Sequence, residues 1–319
     1  MAVLVGIDEA GFGPILGPLV VSSSTFSLPH NLIGADLWQT LRKSLANKRK
    51  RLAGRLLITD SKKAYSRSLG TKHLERTVIA CLKCLGQEPE TLNELITMLC
   101  PDCLERLSAY PWYKGAGGCR ISAEPADMAL ASAVLVDDLT INGIKLLKLQ
   151  SRCLDVAHYN KMVSIVKNKS RVLFTATSQL IKSAFDNFAG DELQIIVDRQ
   201  GGRVHYRAIL QRMFSDMELK ILSESPAASS YELYSYGKKM RLHFVVGADG
   251  RFLPVSLASM VSKYLRELLV ANINRYFAGF HTDLRPTAGY WKDGLRFIED
   301  LKENIPHIRY DREQLVRCR

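Results

Sequence analysis

The chain of 319 residues is basic, with 44 Lys and Arg against 32 Asp and Glu and a formal net charge of +12. Hydrophobic residues make up 47% of it and charged residues 24%, a globular composition that excludes a disordered chain. The sequence has no run of 18 apolar residues and no secretory leader, so we expect a cytoplasmic protein without a membrane partner. The positive charge predicts a polyanionic partner such as nucleic acid.

The first predicted elements are two strands separated by a glycine-rich loop. Residues 1–7 are apolar, and residues 19–26 are rich in β-branched side chains, which favours strands. Asp8 and Glu9 end the first strand. Neighbouring strand residues point to opposite faces of a sheet, so both carboxylates serve one site only if the chain bends there. The glycines of the loop permit that bend.

A basic segment follows the second strand. Residues 37–51 are predicted as a helix whose Lys and Arg cluster is either a solvated helix end or a phosphate contact surface. Residues 57–63 form a strand end that carries Ser61, Lys62 and Lys63. Hydroxyl and ammonium donors at such a position suit a phosphate group.

Residues 71–122 are predicted as two or three amphipathic helices and a loop. We interpret them as a helical insertion in one catalytic domain of residues 1–303, which a C-terminal tail of residues 304–319 follows. Four cysteines of this segment have the spacing of a tetrahedral zinc site: Cys81, Cys84, Cys100 and Cys103. The first pair lies on an apolar helix face, where cysteine is a small hydrophobic residue. Buried thiols are therefore favoured over structural zinc.

The second half of the chain alternates strands and helices. Strands are predicted at 144–150, 193–198, 219–222 and 231–234, and helices at 155–167, 176–188 and 255–267. Asp198 ends the second of these strands, and Asp249 lies just ahead of the last helix. A single acid at a strand end is ordinarily a turn or cap residue. Neither acid indicates a function by itself.

The four acids together suit phosphodiester hydrolysis. Two divalent cations about 3.5–4 Å apart activate a water and stabilise the leaving oxygen. Mg²⁺ takes oxygen ligands, so the expected protein contribution is several Asp or Glu side chains from separate strand ends. Acids at such places are Asp8, Glu9, Asp198 and Asp249, and the resemblance described next implies that these four are the metal ligands and catalytic residues, with Mg²⁺ or Mn²⁺ as the cofactor.

Residues 6–20 resemble the opening signature of the bacterial type 2 ribonuclease H family, Gly-Ile-Asp-Glu-Ala-Gly-Arg-Gly-Pro, then two variable positions and Gly-Pro-Leu-Val. Residues 60–63 resemble its Asp-Ser-Lys-Lys motif, and residues 257–263 resemble its Ala-Ala-Ser-Ile helix with the following Ala-Lys. The resemblance implies a ribonuclease H-like α/β fold, a mixed sheet with three antiparallel strands first and helices on both sides. It also implies that the four acids bind the metal ions.

The resemblance further implies a set of substrate-binding residues: Gly11, Phe12, Gly13, Ser61, Lys62, Lys63, Ser259 and Tyr290. In the family, the tyrosine stacks on a sugar next to the cut. Three positions depart from the family pattern, since Phe12, Gly247 and Glu267 stand where it has Arg, Lys and Asp. Phe12 cannot make the bidentate phosphate contact of an arginine.

The activity that the resemblance implies is metal-dependent endonucleolytic cleavage. Its substrates are the RNA strand of RNA–DNA hybrids or ribonucleotides embedded in duplex DNA, and its products carry 3′-hydroxyl and 5′-phosphate ends. The chain starts directly at the signature, so we expect the type 2 rather than the type 3 relative. The three departures motivate an alternative, a non-catalytic or altered-specificity nucleic-acid-binding protein on the same fold. A zinc-dependent scaffold built on the Cys81 to Cys103 region is a further alternative.

Overall fold

A seven-stranded mixed sheet lies at the centre of the protein. The computed structural model describes residues 1–50, 52–65, 69–115 and 119–318. Its strands are β1 (Ala2–Ala10), β2 (Leu19–Leu28), β3 (Leu45–Ala46), β4 (Leu56–Leu57), β5 (Lys145–Leu154), β6 (Glu192–Asp198), β7 (Glu218–Glu224), β8 (Ala228–Ser235) and β9 (Lys238–Val245). The order in the main sheet is β5-β2-β1-β6-β9-β8-β7, and β3 pairs with β4 in a separate two-stranded sheet.

Helices pack on both faces of this sheet. They are α1 (Leu37–Thr40), α2 (Ser61–Ala64), α3 (Lys72–Cys84), α4 (Leu92–Leu99), α5 (Leu104–Ser108), α6 (Pro125–Ile141), α7 (Val156–Val166), α8 (Lys169–Phe188), α9 (Arg207–Met213), α10 (Leu253–Ala278), α11 (Trp291–Asn304) and α12 (Arg312–Leu315). In the described part of the chain, no helix has the length and apolar character needed to cross a membrane.

The strand pairing confirms the predicted fold class. β1 pairs antiparallel with β2, and β2 pairs antiparallel with β5. On the other side of β1, β6 runs parallel to it and β9 runs parallel to β6. Because parallel strands end at the same edge of a sheet, the carboxyl ends of β1, β6 and β9 meet at one edge.

Two apolar cores lie on opposite faces of the sheet. One combines α10 with α3, α4 and α6, and the other combines α7 and α8 with the strands. Residues of the predicted insertion, among them Leu82, Leu99 and Trp112, belong to the first core together with Leu265 of α10. The segment at 71–122 therefore packs against the sheet. The division into a catalytic domain of residues 1–303 and a tail of residues 304–319 stays a prediction.

Gly6 lies where α10 crosses β1 without an intervening side chain. A Cβ at Gly6 would lie 2.2 Å from both the carbonyl carbon of Pro254 and the amide nitrogen of Val255. These backbone atoms cannot move aside cheaply, so Gly6→Ala forces α10 away from β1. We expect a loss of about 3 kcal/mol or more in the free energy of unfolding, measured by urea titration.

Gly13→Ala is the matched control for that prediction, because a Cβ at Gly13 meets no atom within 4 Å. This variant should stay within about 0.5 kcal/mol of the wild type, as surface substitutions usually do. Equal stabilities of the two variants would contradict the close contact between α10 and β1.

The basic segment at 37–51 differs from the predicted long helix. α1 ends at Thr40, and Leu45–Ala46 then pairs with Leu56–Leu57 as the short strands β3 and β4. The backbone nitrogen and hydroxyl of Ser44 both donate to Asp138 of α6, at 2.9 and 2.8 Å. These tertiary contacts override local helix propensity. Arg51 and residues 116–118, which belong to the loop predicted within 71–122, lie outside the described residues.

The sequence analysis did not predict the helices α6, α9, α11 and α12 or the strand β9. β9 shows the period of two expected for a strand, because Met240, Leu242 and Phe244 are buried on one side. That alternation was a usable signal. The omission matters because the end of β9 positions Asp249. Other elements lie close to their predicted places, although α8 and α10 are longer than predicted.

Candidate active site

Four acids gather where β1, β6 and β9 end. Asp8 and Glu9 lie near the end of β1, and Asp198 is the last residue of β6. Asp249 lies in a short 3-10 turn between β9 and α10. The amide of Ala248 donates to the Asp198 carboxylate at 2.7 Å, which ties this turn to β6. The structure therefore places the four predicted acids at the same end of the sheet.

Burial and mutual repulsion raise the pKa values of these acids. Desolvation is the largest cause at each carboxyl, and it raises the pKa of Glu9 to about 7 and that of Asp198 to about 6. The pKa of Asp8 lies well above its ordinary value, because the charges of Glu9, Asp198 and Asp249 add to its burial. The pKa of Asp249 is also raised, with burial as the main cause. The site is thus a cluster of carboxyl groups that hold their protons more tightly than ordinary acids, with Asp8 buried and the other three partly buried.

This cluster suits divalent cations in its chemistry. Carboxylate oxygens are the donors that Mg²⁺ and Mn²⁺ prefer, and a bound cation relieves the repulsion that raises these pKa values. Within the described ranges, no three His, Cys, Asp or Glu side chains are gathered closely enough to hold one ion. The donor set fits such ions, while the side-chain positions do not form a closed cage.

Two serines of α10 form hydrogen bonds next to the acids. The Ser262 hydroxyl donates to the backbone oxygen of Asp8 at 3.0 Å and bonds the Ser22 hydroxyl at 2.8 Å. The Ser259 hydroxyl bonds that of Ser61 at 3.0 Å. Ser61 and Ser259 are 6% and 2% exposed, so these two predicted substrate residues lie buried beside the acids.

The predicted lysines lie beside the acids. Asp60 caps the start of α2, where its carboxylate accepts from the Lys62 amide at 2.9 Å. Lys62 and Lys63 are exposed. The positive charge of Lys62 lowers the pKa values of Glu9, Asp198 and Asp249 against the larger effect of burial. α2 thus presents two ammonium groups next to the anionic cluster.

The glycine-rich loop packs against a buried arginine, Arg266. Gly11 has a φ of +94°, and a Cβ there would lie 2.7 Å from the Arg266 Cδ, so a side chain is strained and crowded at this position. Arg266 is 1% exposed, and its guanidinium pairs with Glu267 at 3.1 Å and donates to Ala288 at 2.9 Å. The sequence reasoning did not single out Arg266, whose only signal was its place beside Glu267.

Phe12 and Tyr290 lie near this loop and differ in their exposure to solvent. Phe12 is partly buried and packs against the core that contains α7 and α8. Tyr290 is 50% exposed, and its ring centroid lies 5.8 Å from the Arg266 guanidinium carbon. It lines a groove of about 840 Å³ that Tyr65 and Arg285 also line. Phe12 is therefore a packing residue, whereas Tyr290 faces an open groove.

The cysteines form pairs with different neighbours. Cys81 and Cys84 both lie on α3. The other two cysteines contact each other, because the Cys103 thiol donates to the Cys100 backbone oxygen at 3.1 Å. The Cys100 sulfur also accepts from the backbone amide of Cys153 at 3.2 Å. The spacing did not indicate Cys153 as a neighbour. Burial raises the pKa of Cys84 to about 11 and raises that of Cys81 well above its usual range. Since zinc binds thiolates, these shifts favour the predicted thiols, which stay a prediction.

The protein is similar in structure to ribonucleases H. It covers 94% of the RNase HII chain in a PCNA:RNase HII complex from Archaeoglobus fulgidus, over 99% of its own length, with 16% identity and a TM-score of 0.46. It covers 66%, just under two thirds, of Bst-RNase HIII in complex with Mn²⁺, over 99% of its own length, with 15% identity and a TM-score of 0.46. It covers 92% of the ribonuclease H2 chain of Pyrococcus horikoshii OT3, over 98% of its own length, with 12% identity and a TM-score of 0.42.

No family model matches the chain, and no curated protein matches it. The similar structures have low identities and TM-scores.

Proposed function

We propose that this protein is a metal-dependent ribonuclease H-type endonuclease. Its substrates are the RNA strand of RNA–DNA hybrids or ribonucleotides embedded in duplex DNA, and it leaves 3′-hydroxyl and 5′-phosphate ends. One observation carries the proposal: Asp8 and Glu9 of β1, Asp198 at the end of β6 and Asp249 in the turn after β9 form one partly buried cluster of carboxyl groups. Such a cluster is costly to bury unless it binds cations.

Each part of the site has a role in this proposal. The four acids hold Mg²⁺ or Mn²⁺, and two such ions supply an activated water and stabilise the leaving oxygen. Lys62 and Lys63 are exposed beside the acids, where they attract a backbone phosphate. Tyr290, half exposed at its groove, offers a face on which a sugar or base stacks. The net charge of +12 favours encounter with a polyanion.

A second candidate is a nucleic-acid-binding protein on the same fold without this activity. The packing of Phe12 against the core favours it, because an apolar side chain occupies the position where the resembled family places a phosphate-binding arginine. Binding in that case depends on Lys62, Lys63 and the overall positive charge.

A cleavage assay on three end-labelled duplexes separates the two candidates. The duplexes are an RNA–DNA hybrid, a DNA duplex with one ribonucleotide, and an all-DNA control, each with Mg²⁺, with Mn²⁺ and with a chelator. We expect cuts in the first two only, only with a cation, and with 3′ ends that a polymerase extends. Binding of all three duplexes without a cut supports the second candidate, and the absence of binding overturns both.

A further inference from the structure

The loop that follows Asp198 contains buried polar atoms without partners. Residues 199–206 lead from the end of β6 to α9. Among the described residues, the Arg199 Nε, the Gln200 Oε1 and the Arg203 Nη1 have no hydrogen-bond partner. Gln200 is only 5% exposed. Buried polar groups are nearly always paired in folded proteins, so this concentration points to a partner that the chain does not supply.

Both ends of this loop are anchored. The Arg199 guanidinium donates to the backbone oxygen of Ser225 at 2.8 Å. At the other end, the Tyr206 amide donates to the Tyr231 hydroxyl at 2.8 Å, and the Tyr206 ring stacks on Phe244 of β9 with 3.6 Å between centroids. The loop is therefore held firmly against the sheet, next to the last residue of β6.

Arg203 is held as a cation over two aromatic rings. Its guanidinium carbon lies 5.7 Å from the ring centroid of Phe174 and 5.5 Å from that of Tyr206, distances at which guanidinium groups are attracted to ring faces. Its second terminal nitrogen donates to Ser170 at 3.2 Å. No carboxylate pairs with it in the part of the chain that the structure describes. The aromatic rings thus preorganise a positive charge on a partly exposed side chain, without a carboxylate partner among the described residues.

Arg203 lies at the same end of the sheet as the acid cluster. Its guanidinium lies over the Tyr206 ring, which stacks on Phe244 of β9. Phe244 in turn pairs with Val197, the residue before Asp198. The tip of the loop is open, because a Cβ at Gly201 or Gly202 would meet no atom within 4 Å. A nucleic-acid strand that runs past the acids can therefore approach Arg203.

We propose that Arg203 binds a backbone phosphate of the strand that lies in the acid cluster, next to the phosphate that is cut. This inference rests on the proposed function. A polynucleotide carries one phosphate per nucleotide, so a strand positioned by the acids brings a neighbouring phosphate within reach of an adjacent cation. Guanidinium groups bind phosphates through paired donors and without regard to base identity. The ligand is therefore the sugar-phosphate backbone rather than a particular sequence.

The test measures how salt weakens binding of an RNA–DNA hybrid in the absence of divalent cations. Arg203→Gln removes the charge and keeps a polar side chain, and Arg203→Lys keeps the charge. Loss of one phosphate contact should lower the slope of log Kd against log salt concentration by about 1 and weaken binding roughly tenfold near 0.1 M salt. Arg203→Lys should keep the slope. Arg207→Gln, a change of an exposed arginine on α9, should alter neither quantity.

A slope of Arg203→Gln equal to that of the wild type overturns the inference, provided that thermal unfolding shows a folded variant. If Arg203→Gln does not fold, Arg203→Met removes the charge in its place, and an unchanged slope for that variant overturns the inference equally. The assay measures binding and involves no cleavage, so it can refute the phosphate contact of Arg203 without refuting the proposed nuclease activity. A wild-type protein that binds through Arg203 but never cuts refutes only the nuclease proposal. A wild-type protein that cuts without any dependence on Arg203 refutes only the phosphate contact.

Discussion

Asp249→Asn is expected to abolish cleavage while leaving the fold intact. The substitution removes one carboxylate of the proposed metal site, and metal ions supply several kcal/mol of transition-state stabilisation in such sites. We expect the single-turnover rate to fall by roughly a thousandfold or more. The structural contact of Asp249 is made by its backbone oxygen, which accepts from Ser256, so an asparagine preserves it.

The control for this prediction is Asp137→Asn, a change of an exposed acid on α6. It should cleave at the wild-type rate, and both variants should give wild-type circular dichroism spectra. An Asp249→Asn protein that cuts within tenfold of the wild-type rate would remove Asp249 from the site.

The metal-free protein should lose stability as the pH rises from about 4 to about 7. The pKa of Glu9 is raised from 4.5 to about 7 and that of Asp198 from 3.8 to about 6. A carboxyl whose pKa is higher in the folded protein than in the unfolded chain holds its proton more tightly when folded. Its favourable contribution is therefore complete below the unfolded pKa and is lost as the pH rises through the folded pKa. We expect a decrease on the order of 2 kcal/mol after solvent screening.

Comparison with Asp8→Asn isolates the contribution of the acid cluster. The pKa values of His73, His158 and His243 are lowered, mainly by burial, so these groups change stability in the opposite direction over an overlapping pH range. Both proteins share them. In urea unfolding at several pH values, the free energy of unfolding of Asp8→Asn should decrease less with rising pH than that of the wild type. At pH 7 the variant should be the more stable protein. Mg²⁺ or Mn²⁺ should restore the stability of the wild type at neutral pH. Parallel curves for the two proteins would contradict mutual repulsion among the acids.

The part of the site that a short segment encodes was predictable, and the rest depended on distant contacts. Asp8 and Glu9 lie in one continuous motif with the glycine-rich loop, so their place at a strand end follows from local patterning. Asp198 and Asp249 reach the same edge only through the pairing of β6 with β1 and β9. Their assignment came from family resemblance, because strand pairing across the chain leaves no local signal.

Tertiary contacts explain what the sequence could not show. Phe12 stands where the resembled family has a phosphate-binding arginine, and the structure shows its side chain partly buried against a core. Arg203 gains its position from Phe174, which lies on a helix far away in the chain. The long helix expected at 37–51 yields to the bonds between Ser44 and Asp138. In each case a residue distant in sequence determines the outcome.

The close backbone contact between α10 and Gly6 also limits how far the helix can shift relative to β1. The helix that carries Ser259, Ser262 and Arg266 touches β1 through main-chain atoms, and main-chain contacts have little compliance. A substitution in the first core, for example at Leu82 of α3, should consequently lower stability without changing the spacing between the acids. We therefore expect overall stability to change independently of the spacing between the four acids, so that changes in the helical layer leave this edge of the sheet in place.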